Sequence, residues 1–127
     1  MRKHLAAAVV VSSLIAAAAA IAVPLAGAAP QRTTASVVHI AADASGLKYN
    51  KTSMWTKAGH VTVVFTNRSH IRHNVRLEIG EREYGGTKTI GHGTTSVTLT
   101  LKKGRYHFYC SVPGHEDAGM SGYLHVS

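Results

Sequence analysis

Three side chains near the end of the chain could bind a soft metal ion, because Cys110, His115 and Met120 lie within eleven residues. They follow the spacing Cys-x4-His-x4-Met. A thiolate, an imidazole and a thioether are soft or borderline metal donors. One more imidazole would complete two histidines, one cysteine and a weak axial methionine, which is the ligand set of a blue-copper electron-transfer site. The spacing therefore indicates copper chemistry, provided that a second histidine reaches the same place.

The candidate for the second imidazole is His73, which lies 37 residues before the cysteine. Residues 73–79 alternate strictly, so His73 shares a predicted strand face with Val75, Leu77 and Ile79. This parity places His73 at the edge of the core, where a buried metal would lie. His70 could compete for the role, but it precedes the strand signal.

The other histidines are predicted to lie away from this site. On the strand that ends at Cys110, alternation places His107 on the opposite face, and on the last strand it places His125 opposite Leu124. Three more histidines have no ligand spacing to a second soft donor and are expected to be solvated or to lie at strand edges; they are His39, His60 and His92.

Each donor also has a simpler interpretation. Cys110 alone could be a small buried apolar residue, as free cysteines often are. Met120 alone could fill the core, and His115 alone could be an ordinary loop histidine. Their coincidence with His73 favours a metal site. A lone thiol in an oxidising compartment also stays open to oxidation unless something occupies it, and a bound metal would do so.

The elements that would position these donors are short strands. Seven or eight alternating segments, separated by turn signals at intervals of about ten residues, predict an all-β, antiparallel sandwich of the Greek-key type. Met54 and Trp55 are both expected to reach the core. The predicted strands are residues 36–40, 47–55, 60–66, 73–79, 95–101, 105–110 and 121–126, with a short strand or helical turn near 87–90.

The Cys-x4-His-x4-Met segment at residues 110–120, the upstream segment 73–75 and the closing strand 122–126 together resemble the cupredoxin family of small blue copper proteins. An aromatic strand precedes the loop, as the family pattern requires. The resemblance covers roughly residues 35–127. The loop spacing is close to that of rusticyanin-like members and one residue longer than that of azurins.

This resemblance implies a cupredoxin-like Greek-key sandwich with one type 1 copper ion. It implies a carrier of single electrons that cycles between Cu(I) and Cu(II) and is not an enzyme. His115 would present its outer ring edge at the surface as the electron port. The implied ligands are His73, Cys110, His115 and Met120, and the implied supporting hydrogen bond joins Asn74 to Ser111.

The first 29 residues are predicted to lie outside the folded domain. A basic start is followed by an Ala/Val-rich apolar run and then by Pro24 and small residues, which is typical of a secretory signal cleaved near Ala28 or Ala29. Left uncut, the run would be long enough to anchor the chain in a bilayer. We therefore expect a periplasmic, secreted or membrane-anchored protein, with a flexible leader at residues 30–35 and the copper-binding domain at 36–127.

The charge of the chain bears on its partners. The sequence has 14 Lys and Arg against 6 Asp and Glu, and removal of Arg2 and Lys3 with the signal leaves 12 against 6, about +6. This balance favours redox partners with acidic docking surfaces. The basic residues are scattered and form no nucleic-acid-binding motif, so nucleic acid is not expected as a partner. The domain is expected to be a monomer, with membrane contact only through an uncleaved leader.

Three other functions compete with electron transfer. Copper storage or delivery is conceivable in a chain with nine histidines. Catalysis at copper would need a second copper site, for which about 98 residues with one ligand set leave no room. A metal-free sandwich could act as a binding module, and absence of an intense thiolate absorption band after addition of Cu(II) would favour it.

Overall fold

The computed structural model describes residue 27 and residues 34–127. Apart from residue 27, the predicted signal or anchor at residues 1–29 lies outside the described residues, and so does the leader up to residue 33. Within the described part, no helix is long and apolar enough to cross a bilayer.

The described domain consists of eight strands arranged in two sheets. The strands are β1 Ser36–Ala42, β2 Ser53–Thr56, β3 Gly59–Asn67, β4 Arg76–Ile79, β5 Arg82–Gly86, β6 Gly93–Leu101, β7 Gly104–Tyr109 and β8 Ser121–Val126. The first sheet has the order β1-β3-β6, and the second has the order β2-β8-β7-β4-β5. The predicted all-β, two-sheet sandwich is confirmed.

The prediction of a purely antiparallel sandwich was wrong for two strand pairs. β1 runs parallel to β3, and β2 runs parallel to β8. Parallel neighbours need a crossover connection. The chain provides one here because β2, which lies in the second sheet, separates β1 from β3 along the sequence.

The second predicted strand is much shorter than expected, and its tryptophan is not in the core. β2 begins only at Ser53, after an irregular segment in which Tyr49 forms a single bridge with Ala42. Met54 is buried as predicted, but the Trp55 side chain is 71% exposed. Successive strand residues point to opposite faces, so these two neighbours cannot both face the core.

The predicted strand at residues 73–79 is divided. Its regular part is β4, while His73 joins Ile90 through an isolated bridge in which each backbone N–H donates to the other carbonyl, at 3.1 and 2.9 Å. The predicted parity holds for His73, Val75 and Leu77, which are all buried, whereas Ile79 at the strand end is 38% exposed. The sequence reasoning also missed β5, which pairs antiparallel with β4.

The core lies between the two sheets and extends to the metal-donor residues. Burial of one large apolar side chain contributes about 1.5–3 kcal/mol to folding. The buried side chains of this core therefore supply most of the driving force for folding. The largest fully buried side chains are Tyr106, Phe65, Phe108, Ile40, Leu77, Leu101, Met120, Leu124, His73, Val61, Val63 and Val75.

The closing strand β8 approaches its neighbours so closely at Gly122 that only glycine fits. A Cβ at this position would clash with the Phe108 ring and with the backbone carbonyl of Thr52. The next residue, Tyr123, donates its N–H to the same Thr52 carbonyl at 2.9 Å, so the backbone cannot simply move away. The entry of β8 after the donor loop therefore depends on this glycine.

We expect Gly122→Ala to lower the free energy of unfolding by about 1–3 kcal/mol through overpacking. Gly46→Ala is the matched control, because a Cβ at Gly46 would meet nothing within 4 Å. Urea denaturation of the full-length protein measures both. Equal stability of the two variants would contradict the close approach at Gly122.

Candidate metal centre

The predicted donors meet at one end of the sandwich. His73 lies in the bridge segment before β4, and Cys110 follows directly after the last residue of β7. His115 and Met120 lie in the loop of residues 111–120, which connects β7 to β8 and which we call the donor loop. Adjacent strand ends thus bring together residues that are far apart in the sequence.

Two imidazoles and the thiol converge on a common point. The His73 Nδ1 atom lies 3.1 Å from His115 Nδ1, and Cys110 Sγ lies 3.8 Å from His73 Nδ1 and 3.5 Å from His115 Nδ1. All three donor atoms therefore fall within 4.8 Å of one another. Such a set of separations is what three ligands of one metal ion require.

Burial differs among the donors. His73, Cys110 and Met120 are fully buried, while His115 is partly exposed. The backbone connects Met120 to the other two loop donors, because Cys110 N–H donates to the Met120 carbonyl at 3.1 Å and Met120 N–H donates to the His115 carbonyl at 3.0 Å. These hydrogen bonds hold the Met120 backbone beside the residues that carry the thiol and the partly exposed imidazole.

The donor loop folds into a series of tight turns. His115 N–H donates to the Val112 carbonyl at 3.0 Å, and Gly119 N–H donates to the Glu116 carbonyl at 2.8 Å. Gly114 and Gly119 have φ angles of 80° and 97°, a backbone region that residues with a side chain rarely adopt. Glycine at these two positions lets the backbone turn directly before His115 and directly before Met120.

Asn74 joins the two segments that carry the donors. Its Oδ1 accepts the Ser111 N–H at 2.9 Å, and its Nδ2 donates to the Ser111 hydroxyl at 2.8 Å and to Thr89 Oγ1 at 2.9 Å. The hydrogen bond that the resemblance implied is therefore present, and it is doubled. Because Asn74 follows His73 and Ser111 follows Cys110, this pair fixes the separation of the two donors.

The sequence reasoning missed several residues that support this arrangement. Asn67 is buried and donates through Nδ2 to the carbonyls of Ile71 and Ile90, at 2.8 and 2.7 Å. The Tyr49 hydroxyl donates to the Asn74 carbonyl. An asparagine at a strand end and a tyrosine in an irregular segment carry no signal for these roles, because their partners are remote in sequence.

Electrostatics favour a neutral imidazole at the buried position. Burial lowers the pKa of His73, and the neighbouring His115 imidazole lowers the same pKa further. A neutral imidazole is the form that binds a metal. One proton between two facing Nδ1 atoms can satisfy only one donor–acceptor pair, whereas a metal ion can use the lone pairs of both imidazoles and of the thiolate. The donor set therefore fits a copper ion.

The remaining histidines lie outside this cluster, as expected. His107 is hydrogen-bonded to Glu78 at 3.1 Å. His125 stacks on Trp55 with ring centroids 5.2 Å apart, and the competing candidate His70 stacks on His92 at 5.5 Å. Among the described residues, the two imidazoles that reach the Cys110 thiol are those of His73 and His115.

Comparison with known proteins agrees with this geometry. The family described as copper binding proteins, plastocyanin/azurin family, matches residues 36–127. No match to the chain was found among curated proteins.

Solved structures of two auracyanins are similar to this chain. Reduced auracyanin from the photosynthetic bacterium Roseiflexus castenholzii is 27% identical, with a TM-score of 0.68 over 74% of this chain and 99% of that one. Auracyanin A, a "blue" copper protein from the green thermophilic photosynthetic bacterium Chloroflexus aurantiacus, is 25% identical, with a TM-score of 0.68 over 74% of this chain and 100% of that one.

A more distant similarity supports the fold alone. An azurin from the methylotroph Methylomonas sp. strain J is 22% identical, with a TM-score of 0.62 over 74% of this chain and 99% of that one.

Copper is the cofactor that the family match and the donor cluster indicate. The chain belongs to the plastocyanin/azurin family of copper-binding proteins, the cupredoxins that its donor loop resembles.

Proposed function

We propose that this protein carries single electrons between redox partners outside the cytoplasm. Its copper ligands would be His73, Cys110 and His115, with Met120 as the weak axial ligand. The observation that carries the proposal is the convergence of one thiol and two imidazoles within 4.8 Å at the end of a packed sandwich. Copper bound there would supply a reversible one-electron couple between Cu(I) and Cu(II).

The protein's own contribution is a pocket that is built before the metal enters. The Asn74–Ser111 hydrogen bonds hold the two donor segments, and the core excludes water from His73 and Cys110. Donors that are already in place move little when the charge of the ion changes. Little movement means a small reorganisation cost, which favours rapid electron exchange over release of the metal.

His115 is the proposed route for the electron, because it is the partly exposed member of the three clustered donors. Small exposed residues lie on both sides of it along the donor loop: Pro113, Ala118 and Gly119. Charged residues are also exposed here, since Glu116 and Asp117 follow His115 directly. The docking face would therefore combine a small apolar patch with charges.

The remaining features of the proposal come from the sequence. Residues 1–29 would direct export or anchor the chain, and residues 36–127 would form the working domain. The excess of basic residues favours acidic docking surfaces on the redox partners. We propose a monomer that is not an enzyme.

An electrochemical test distinguishes a carrier from a copper-delivery protein. The copper-loaded full-length protein should give a reversible one-electron response at an electrode, because the preformed pocket needs little rearrangement. Transfer of copper to a strong chelator should be much slower than electron exchange. An irreversible response together with rapid copper loss to the chelator would support delivery instead.

Asn74→Ala tests whether the Asn74–Ser111 hydrogen bonds stabilise the fold and hold the copper ligands in place. Loss of hydrogen bonds in a partly buried position should lower the free energy of unfolding by about 1–3 kcal/mol. It should also speed copper transfer to the chelator, because the separation of His73 and Cys110 is no longer fixed. Urea denaturation and stopped-flow absorbance measure the two effects.

The matched control for this variant is Ser96→Ala, an exposed position on β6 of the other sheet. It should leave both stability and copper transfer nearly unchanged. If Asn74→Ala behaved like this control in both measurements, the Asn74–Ser111 hydrogen bonds would have no role in the site.

A further inference from the structure

A second group of metal-binding side chains lies on the outer face of the five-stranded sheet. Glu78, His107 and Glu116 each offer one ligand atom, and these atoms lie within 4.8 Å of one another. They come from three parts of the fold, since Glu78 belongs to β4, His107 to β7 and Glu116 to the donor loop. We propose that these residues bind one divalent cation of the zinc class, at a site separate from the copper centre.

The separations suit shared coordination. Glu78 and His107 are direct cross-strand partners in the antiparallel β4/β7 pair. His107 Nδ1 lies 3.1 Å from Glu78 Oε1 and 3.8 Å from Glu116 Oε1. Two ligands that are each about 2.0–2.1 Å from a tetrahedral zinc ion lie about 3.4 Å apart. The observed distances fall on either side of this value, so small side-chain rotations would complete the site.

The group of Glu78, His107 and Glu116 has more negative charge than its imidazole can neutralise. Two carboxylates meet at one imidazole, and even a protonated imidazole neutralises only one of them. Arg76, the nearby cation on β4, is already paired with Glu83. Among residues 34–127, no lysine or arginine nitrogen is paired with Glu78 or Glu116. A divalent ion would neutralise both carboxylates.

Hydrogen bonding is also incomplete in the group. The His107 ring reaches Glu78 at hydrogen-bond distance, but Glu116 at 3.8 Å is too far for a second hydrogen bond. A cation can engage both carboxylates together with the imidazole, which a single N–H cannot do.

The imidazole is held in position by its neighbours. Its ring stacks on Tyr109, with centroids 5.6 Å apart and planes 12° apart, and lies 5.4 Å from the Tyr123 ring. A fixed ring reduces the ordering cost of binding an ion. The side chains of Glu78 and His107 are about one-quarter exposed, and Glu116 is 47% exposed, so solvent ions can enter and water can supply further ligands.

The donor set selects the class of ion. Zinc accepts both imidazole nitrogen and carboxylate oxygen as ligands, and with three protein ligands it keeps water at an open position. Magnesium and calcium prefer ligand sets made of oxygen, so they should compete poorly. Because Glu116 directly follows His115, an ion here would also tie the donor loop to β4 and β7.

The test is a calorimetric titration of Zn²⁺ into the full-length protein that already contains copper, so that the cysteine cluster is occupied. One equivalent of zinc should bind. His107→Gln, Glu78→Gln and Glu116→Gln should each raise the dissociation constant at least tenfold. His60→Gln is the matched control, because His60 lies on the other sheet beside Thr100 and should leave zinc binding unchanged.

Amide NMR signals of Glu78, His107 and Glu116 should shift on addition of zinc, which locates the ion. Absence of binding at millimolar zinc would overturn the proposal. So would equal zinc affinity in the wild type and in the Glu116→Gln variant, whose exposed substitution should not disturb folding. Zinc stoichiometry is measured independently of electron transfer, so failure of this site leaves the proposed copper function untouched.

Discussion

The copper centre depends on the pair of hydrogen bonds between the Asn74 side chain and Ser111. These two residues directly follow His73 and Cys110, so one amide fixes how far apart two donors lie. An amide whose oxygen and nitrogen are both bonded has little freedom to move. The Asn74 Nδ2 atom also donates a hydrogen bond to Thr89. Thr89 directly precedes Ile90, the residue that forms the backbone bridge with His73. The donors are thus positioned by a network and not by the loop alone.

Burial then gives the positioned donors their chemistry. The interior lowers the pKa of His73, because desolvation disfavours the imidazolium ion. It also shields the Cys110 thiol from solvent oxidants. His115 is the partly exposed member of the cluster, whereas His73 and Cys110 are fully buried. This difference in burial is the basis for proposing electron exchange and not metal exchange.

Local sequence patterns predicted which face of a strand a donor side chain occupies. They did not predict features whose hydrogen-bond or strand partners lie far away in the sequence. Alternation identified His73 as the buried histidine and placed His107 on the opposite face, because a strand period of two fixes both. Trp55 was assigned wrongly to the core, since the start of β2 decides which neighbour faces inward. The buried hydrogen bonds of Asn67 and the parallel β1/β3 pair arise from long-range packing, which no short segment of sequence encodes.

The central claim is that Cys110 and two imidazoles bind one copper ion as a type 1 centre. The most direct measurement is the visible absorption spectrum of the full-length protein after addition of one equivalent of Cu(II). An intense thiolate-to-copper charge-transfer band is expected in the wild type, and Cys110→Ala should lose it while keeping the β-sheet circular dichroism signal. A wild-type protein without this band, or a Cys110→Ala variant that keeps it, would contradict the ligand assignment.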